Sequence, residues 1–122
     1  MNKDLGDVFS CSGGKNSISD ITQIRRLVWR RQYEFSMHAE KERQLDMISV
    51  SEIEEALRNC DIIEMYPDDP RGESCLVAGY CGSRPVHAVC TVQTNPEELL
   101  LITVYDPSKR PDKWTEDFKK RR

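Results

Sequence analysis

Hydrophobic positions along the chain change their period once, near Asn59. Before that point they recur at helical spacing. In "SISDITQIRRLVWRRQ" the residues Ile21, Ile24, Leu27 and Val28 share one stripe, Ser19 or Asp20 is placed to cap the N-terminus, and arginines fill the last turns. The spacing predicts a basic amphipathic helix over roughly residues 20–31. "YEFS" reads as a short extended link. Ser36 then precedes His38, Ala39, Glu42 and Leu45, which predicts a second helix, over roughly residues 37–46, capped by Ser36. A third, over about residues 50–59, carries the clearest local signature. Ser49 and Glu52 form a capping box, Ile48 and Ile53 sit where a hydrophobic staple needs them, and Val50, Ile53, Ala56 and Leu57 make the stripe to be buried.

Beyond Asn59 the pattern is extended. "DIIEMY", "SCLVAGYC", "PVHAVCTVQ" and "LLLITVYD" are rich in Val, Ile, Leu and Tyr, and turn-forming stretches separate them. They predict an antiparallel sheet of three or four strands, and helices followed by strands imply an α+β domain with the helices on one face. Residues 1–17 are polar, glycine-containing and aperiodic, so a flexible arm is expected there, with a single domain over residues 18–122. The tail "RPDKWTEDFKKRR" reads as a short basic helix or an extended arm anchored by Trp114 and Phe118.

Composition narrows the function classes. A chain of 122 residues has room for one core but not for a large cofactor cradle. No apolar run approaches the roughly twenty residues of a membrane span, and the first residues lack the apolar segment of a secretory signal, so a cytoplasmic location without membrane contact is expected. The five cysteines show no zinc-knuckle spacing and read as reduced, buried hydrophobes. The net charge of -3 hides a split: residues 21–33 carry Arg25, Arg26, Arg30 and Arg31 and no acid, residues 107–122 carry seven basic residues against three acidic, and the stretch between has fifteen acidic against five basic. Two basic segments meeting in space would hold a phosphate backbone or an acidic partner.

No phosphate-binding loop, nucleophile elbow or metalloprotease motif is present. There are two histidines. His38 starts the second predicted helix, four residues before Glu42. In "RPVHAVCTV", alternation puts Val86, Ala88, Cys90 and Val92 on one face and His87, Val89 and Thr91 on the other, so His87 is expected to look out of the sheet beside Arg84.

The order "YEFSMHA", "ISVSEIEEAL", "IIEMYPDD", "SCLVAGY", "RPVHAVC", "LITVYDPSKRPDKW" and a basic tail resembles a small bacterial family of unknown function. That family is in turn similar to the RelE, BrnT and MqsR group of toxins, often encoded beside YgiT-type zinc-finger antitoxin-like proteins. The resemblance implies a RelE-like fold and metal-independent RNA cleavage, in which acid, base and cationic side chains act on one phosphate with no cofactor and no nucleophile of the protein's own. Its site positions fall on His38, Arg43, Arg84, His87 and Tyr105. RNA, the ribosome or the antitoxin-like partner would meet Arg25, Arg26, Arg30 and Arg31 and, in the tail, Lys113, Trp114, Lys119 and Lys120. Four of the five site residues also have a purely structural alternative: His38 facing Glu42, Arg43 in a helix ion pair, His87 on a strand surface, Tyr105 as an edge aromatic. The acidic middle keeps a second class open, a non-catalytic protein of the same fold that binds the zinc-finger partner.

Overall fold

The computed structural model describes residues 20–122, and the arm expected over residues 1–17 lies outside them. Helix α1 spans Ile21–Trp29, capped by the Asp20 carboxylate, which accepts from the Gln23 amide at 3.0 Å. Strand β1 is Tyr33–Phe35, helix α2 Met37–Leu45 and helix α3 Val50–Leu57. Strands β2 (Asp61–Tyr66), β3 (Ser74–Cys81), β4 (Arg84–Gln93) and β5 (Glu98–Tyr105) follow, and then two short 3-10 turns, Pro107–Lys109 and Pro111–Lys113. The capping box at Ser49 and Glu52 forms as expected.

The fold is α+β, but the sheet is larger than expected. It has five strands in the order β1-β5-β4-β3-β2, and only the last four in sequence make the antiparallel meander. "YEF" becomes β1, which pairs parallel to β5 with Tyr33 opposite Leu99 and Phe35 opposite Leu101. Three residues are too few for a periodic signal; the free edge of β5 makes them a strand. The third helix's stripe starts later than expected, since Val50 is 39% exposed in the first turn while Ile53, Ala56 and Leu57 are buried. Leu45 faces solvent. The tail is neither helix nor free arm: after the 3-10 turns it folds back as a strap closed by a bridge between Trp114 and Arg121.

Past Phe35 the chain leaves the sheet, and side chains from α2 and its cap take over the edge of β5. Ser36 caps α2 by accepting from the Ala39 amide and donates its hydroxyl to the Ile102 carbonyl at 2.9 Å. Glu42 accepts from the Val104 amide at 3.0 Å, and Asp46 from the Asp106 amide at 2.9 Å. A strand edge that would otherwise be unpaired is thus satisfied by a helix laid along it.

The core lies between the helices and one face of the sheet: Ile24, Leu27, Val28, Ile53, Ala56 and Leu57 pack on Cys75, Val77, Val86, Ala88, Cys90, Leu99, Leu101 and Val104. The Cys75 and Cys90 thiols face each other across β3 and β4 at 3.9 Å, both free and buried. Two bulges set which residues reach the opposite face. The register of β2 on β3 skips Ile63, so Ile62 packs on the core while Glu64 and Tyr66 point away from it. The register of β5 on β4 skips Ile102, so Leu99, Leu101 and Val104 all enter the core and Thr103 and Tyr105 turn outward.

Helix α3 approaches β3 most closely at Gly79, where an added Cβ would overlap the Ala56 carbonyl. Both partners there are backbone, so the strain cannot relax through a rotamer. Gly79→Ala should therefore lower the unfolding free energy by about 1–3 kcal/mol. Urea denaturation measures this, and an unchanged midpoint would contradict the close approach.

Candidate functional site

His87 and Tyr105 stand opposite each other on β4 and β5, on the sheet face turned away from the helices. The His87 Nε2 lies 2.7 Å from the Phe118 carbonyl, which can only accept, so Nε2 carries the hydrogen. The other ring nitrogen of the neutral imidazole, Nδ1, then accepts from the Tyr105 hydroxyl at 3.1 Å. The Trp114 ring packs edge-on against the imidazole with centroids 4.5 Å apart. His87 is 0% exposed. Burial pushes its pKa down to about 4 and pushes the Tyr105 phenol up to about 12. At neutral pH the pair is uncharged, with its hydrogens assigned by its neighbours.

Glu64 and Tyr66 extend this cluster on β2. Tyr66 donates to the Glu64 carboxylate at 2.5 Å, and Arg121 of the strap grips the same carboxylate with two bonds of 2.7 and 3.1 Å. The Arg121 hydrogen bonds hold the Glu64 carboxyl below the usual carboxylate range. The guanidinium of Arg121 also lies 4.7 Å from the Trp114 ring centroid. Tyr80 donates to the Asp117 carbonyl at 3.0 Å, and Lys119 pairs with Asp61 at 3.5 Å.

Beside this cluster opens a cleft of about 590 Å³, lined on one side by Glu42, Leu45 and Asp46 of α2 and its cap and on the other by Lys109, Arg110, Lys113, Trp114 and Arg121, with Tyr105 and Asp106 between. The acids already accept hydrogen bonds: Glu42 and Asp46 from β5 and the residue after it, Asp106 from Ser108 and Arg84. The side chains of Lys109, Arg110 and Lys113 form no ion pair among the described residues. Their charge is available to an anion.

The residues singled out in the sequence separate into groups. His87 and Tyr105 meet. Arg84 does not join them, because an odd separation along one strand puts it on the opposite face, where it bonds the Asp46 and Met47 carbonyls at 2.6 and 2.8 Å and pairs with Glu52 and Asp106. Those bonds hold the α2–α3 connection, in which Met47 has a φ of 56°. Arg43 makes a two-bond pair with Glu40 at 2.8 and 2.7 Å and reaches the Ile48 carbonyl. His38, two-thirds exposed, sits 3.2 Å from Glu42 of the cleft. Of the α1 arginines, Arg25, Arg26 and Arg31 pair with Asp61, Glu97 and Glu54, and Arg30 has no pair among the described residues. In the strap, Trp114 is buried, Lys119 is paired and Lys120 is exposed. Sequence reasoning did not single out Glu64, Tyr66, Lys109, Arg110 or Arg121. Only the basic character of the tail hinted at the last three.

The buried imidazole has a pH signature. The unfolded chain protonates His87 near pH 6.5, whereas the native protein resists protonation down to about pH 4, so the native state loses relative stability as pH falls through that window. The loss amounts to as much as about 3 kcal/mol. In urea melts between pH 7 and 5, wild type should lose stability faster than His87→Gln. Equal slopes would rule out the buried neutral ring.

Neither curated proteins nor solved structures give a match to this chain. A family profile does. It covers residues 35–106, from the last residue of β1 to the Asp106 carboxylate, and so takes in α2, α3, the meander and the His87–Tyr105 pair, while α1 and the cationic strap lie beyond it. More than half of the sequence is matched, and the protein belongs to the family described as a domain of unknown function (DUF4258).

Proposed function

We propose that the protein is the toxin-like member of a two-protein pair and cleaves RNA without a metal, with the cleft beside Tyr105 as its site. The observation that carries this reading is a hydrogen-bonded phenol–imidazole pair at the edge of a cleft whose cations Lys109, Arg110 and Lys113 have no acid partner among the described residues. These cations hold the scissile phosphate and offset the charge that builds on it. The Nε2 of His38 faces Glu42, which leaves Nδ1 to take the proton of the attacking ribose 2′-OH. Tyr105, kept protonated by burial, turns its hydrogen from His87 to the departing 5′ oxygen. The 2′ oxygen bonds to phosphorus, the bond to the 5′ oxygen breaks, and a cyclic 2′,3′-phosphate and a free 5′-OH result. Solvent returns the proton to Tyr105 and removes that on His38. In this reading Arg43 and Arg84 position α2 and its connection rather than touching RNA.

A second reading is favoured by Leu45 and Met47, 80% and 75% exposed where α2 ends beside the cleft. Apolar side chains next to cations suit a protein partner, and the YgiT-type zinc-finger antitoxin-like protein is the proposed one. In this reading the cleft binds and does not cut.

An RNA-cleavage assay in the presence of a chelator separates the two. Tyr105→Phe and His38→Ala should each slow cleavage by roughly 10²–10⁴-fold with little change in RNA affinity, whereas Lys109→Ala combined with Lys113→Ala should weaken binding and flatten its salt dependence. Induction should arrest growth unless the neighbouring gene is co-expressed. Wild-type protein that cuts no RNA yet binds the neighbouring gene's product would leave the second reading standing.

A further inference from the structure

The strap covers a surface on which a carboxylate, two phenols and an imidazole stand together. Glu64, Tyr66, His87 and Tyr105 share the outer face only because two bulges turn them there. Yet His87 is wholly shielded, its Nε2 bonded to a strap carbonyl and its ring packed on Trp114. Beyond those two contacts, the Tyr80 bond and two bonds from Arg122 to the Lys113 and Pro111 carbonyls, the strap is fastened by charge: Arg121 to Glu64 and Lys119 to Asp61. Phe118, whose carbonyl makes the His87 bond, has a φ of 59°, a backbone region that residues other than glycine seldom occupy. The segment 107–122 carries seven basic residues. A cover held by exposed ion pairs, and itself strongly cationic, can be competed off by a polyanion.

We propose that residues 114–122 form an autoinhibitory strap that a polyanionic chain, RNA in the reading above, displaces by drawing Arg121 and Lys119 from Glu64 and Asp61, so that His87 and Glu64 become accessible beside Tyr105. The polyanion rests on the proposed function; the strap itself does not. In the closed state His87 is a positioning residue that orients the Tyr105 hydroxyl. In the open state its Nε2 faces the cleft's ligand in place of the Phe118 carbonyl.

Because the chain has two histidines, carbethoxylation of a full-length His38→Asn protein reports on His87 alone. At neutral pH the buried ring is uncharged, so access limits the reaction. A short oligouridylate at low salt should speed labelling roughly tenfold, as expected for a cover shifted from mostly closed to mostly open. High salt should abolish the dependence on oligouridylate. Glu64→Gln should speed labelling roughly fivefold without any polyanion, and Arg121→Gln does the same from the other side should the first variant fail to fold. Heparin in a parallel arm separates sources: equal acceleration means charge alone opens the strap, and acceleration by RNA alone means ribose or base contacts contribute. Labelling unchanged by both polyanions overturns the proposal, even if Glu64→Gln loosens the strap. His87 unmasked by RNA in this protein, while wild-type protein with His38 intact cleaves no RNA, refutes the nuclease reading and leaves the strap proposal standing. Cleavage with His87 masked throughout overturns the strap alone.

Discussion

Much of this structure follows from how the outer edge of β5 is paired. A central strand needs both edges satisfied, and the chain offers only three residues of β1 for this one. From Ser36 onward the partners are side chains: the Ser36 hydroxyl on Ile102, Glu42 on Val104, and Asp46 on the amide after the strand. Each of these residues has a second role. Ser36 caps the helix, Glu42 faces His38 and Asp46 ends α2. A helix tied to a strand at three points cannot slide along it. That rigidity fixes one wall of the cleft against Tyr105 and Asp106.

The same bonds determine what the acids can do. Glu42, Asp46 and Asp106 line the cleft but accept hydrogen bonds from backbone amides. Each of these carboxylates thus has an oxygen committed to holding the fold together. Across the molecule the acidic middle of the sequence absorbs most of the basic α1, with Asp61, Glu97 and Glu54 each taking an arginine. Among the described residues, most cations without an acid partner follow Asp106, Lys109, Arg110 and Lys113 at the 3-10 turns among them, while Arg30 and Lys41 stand apart. A chain with a net charge of -3 therefore presents a cationic wall at one place, and an anion would meet it there rather than along α1.

The His87–Tyr105 pair combines a low imidazole pKa with a high phenol pKa, both driven by burial. Neither group carries charge at neutral pH, so the cost of enclosing them is small and the strap can close over them. Opening the strap would relieve the imidazole of that burial and bring its pKa back toward neutrality. One covering segment thus sets both access to the pair and its proton affinity.

The local elements were legible in the sequence because their causes are local. The caps at Asp20, Ser36 and Ser49, the stripe Ile24, Leu27 and Val28, and the four strand runs after Asn59 depend on neighbours a few residues away. The α+β class followed from them. Strict alternation along "DIIEMY" and "LLLITVYD" would give Ile62, Glu64 and Tyr66 one face and Leu99, Leu101, Thr103 and Tyr105 another. The bulges at Ile63 and Ile102 break both series, and through them Glu64, Tyr66 and Tyr105 reach the side of His87. The sequence reading set Arg84 beside His87, whereas their odd separation along β4 puts them on opposite faces, and the α2–α3 connection makes Arg84 a structural clamp. β1, the edge bonds of α2 and the strap each depend on a partner more than thirty residues away in sequence. Periodicity registers a residue's near neighbours; which distant edge or face needs covering is decided only when the chain has folded.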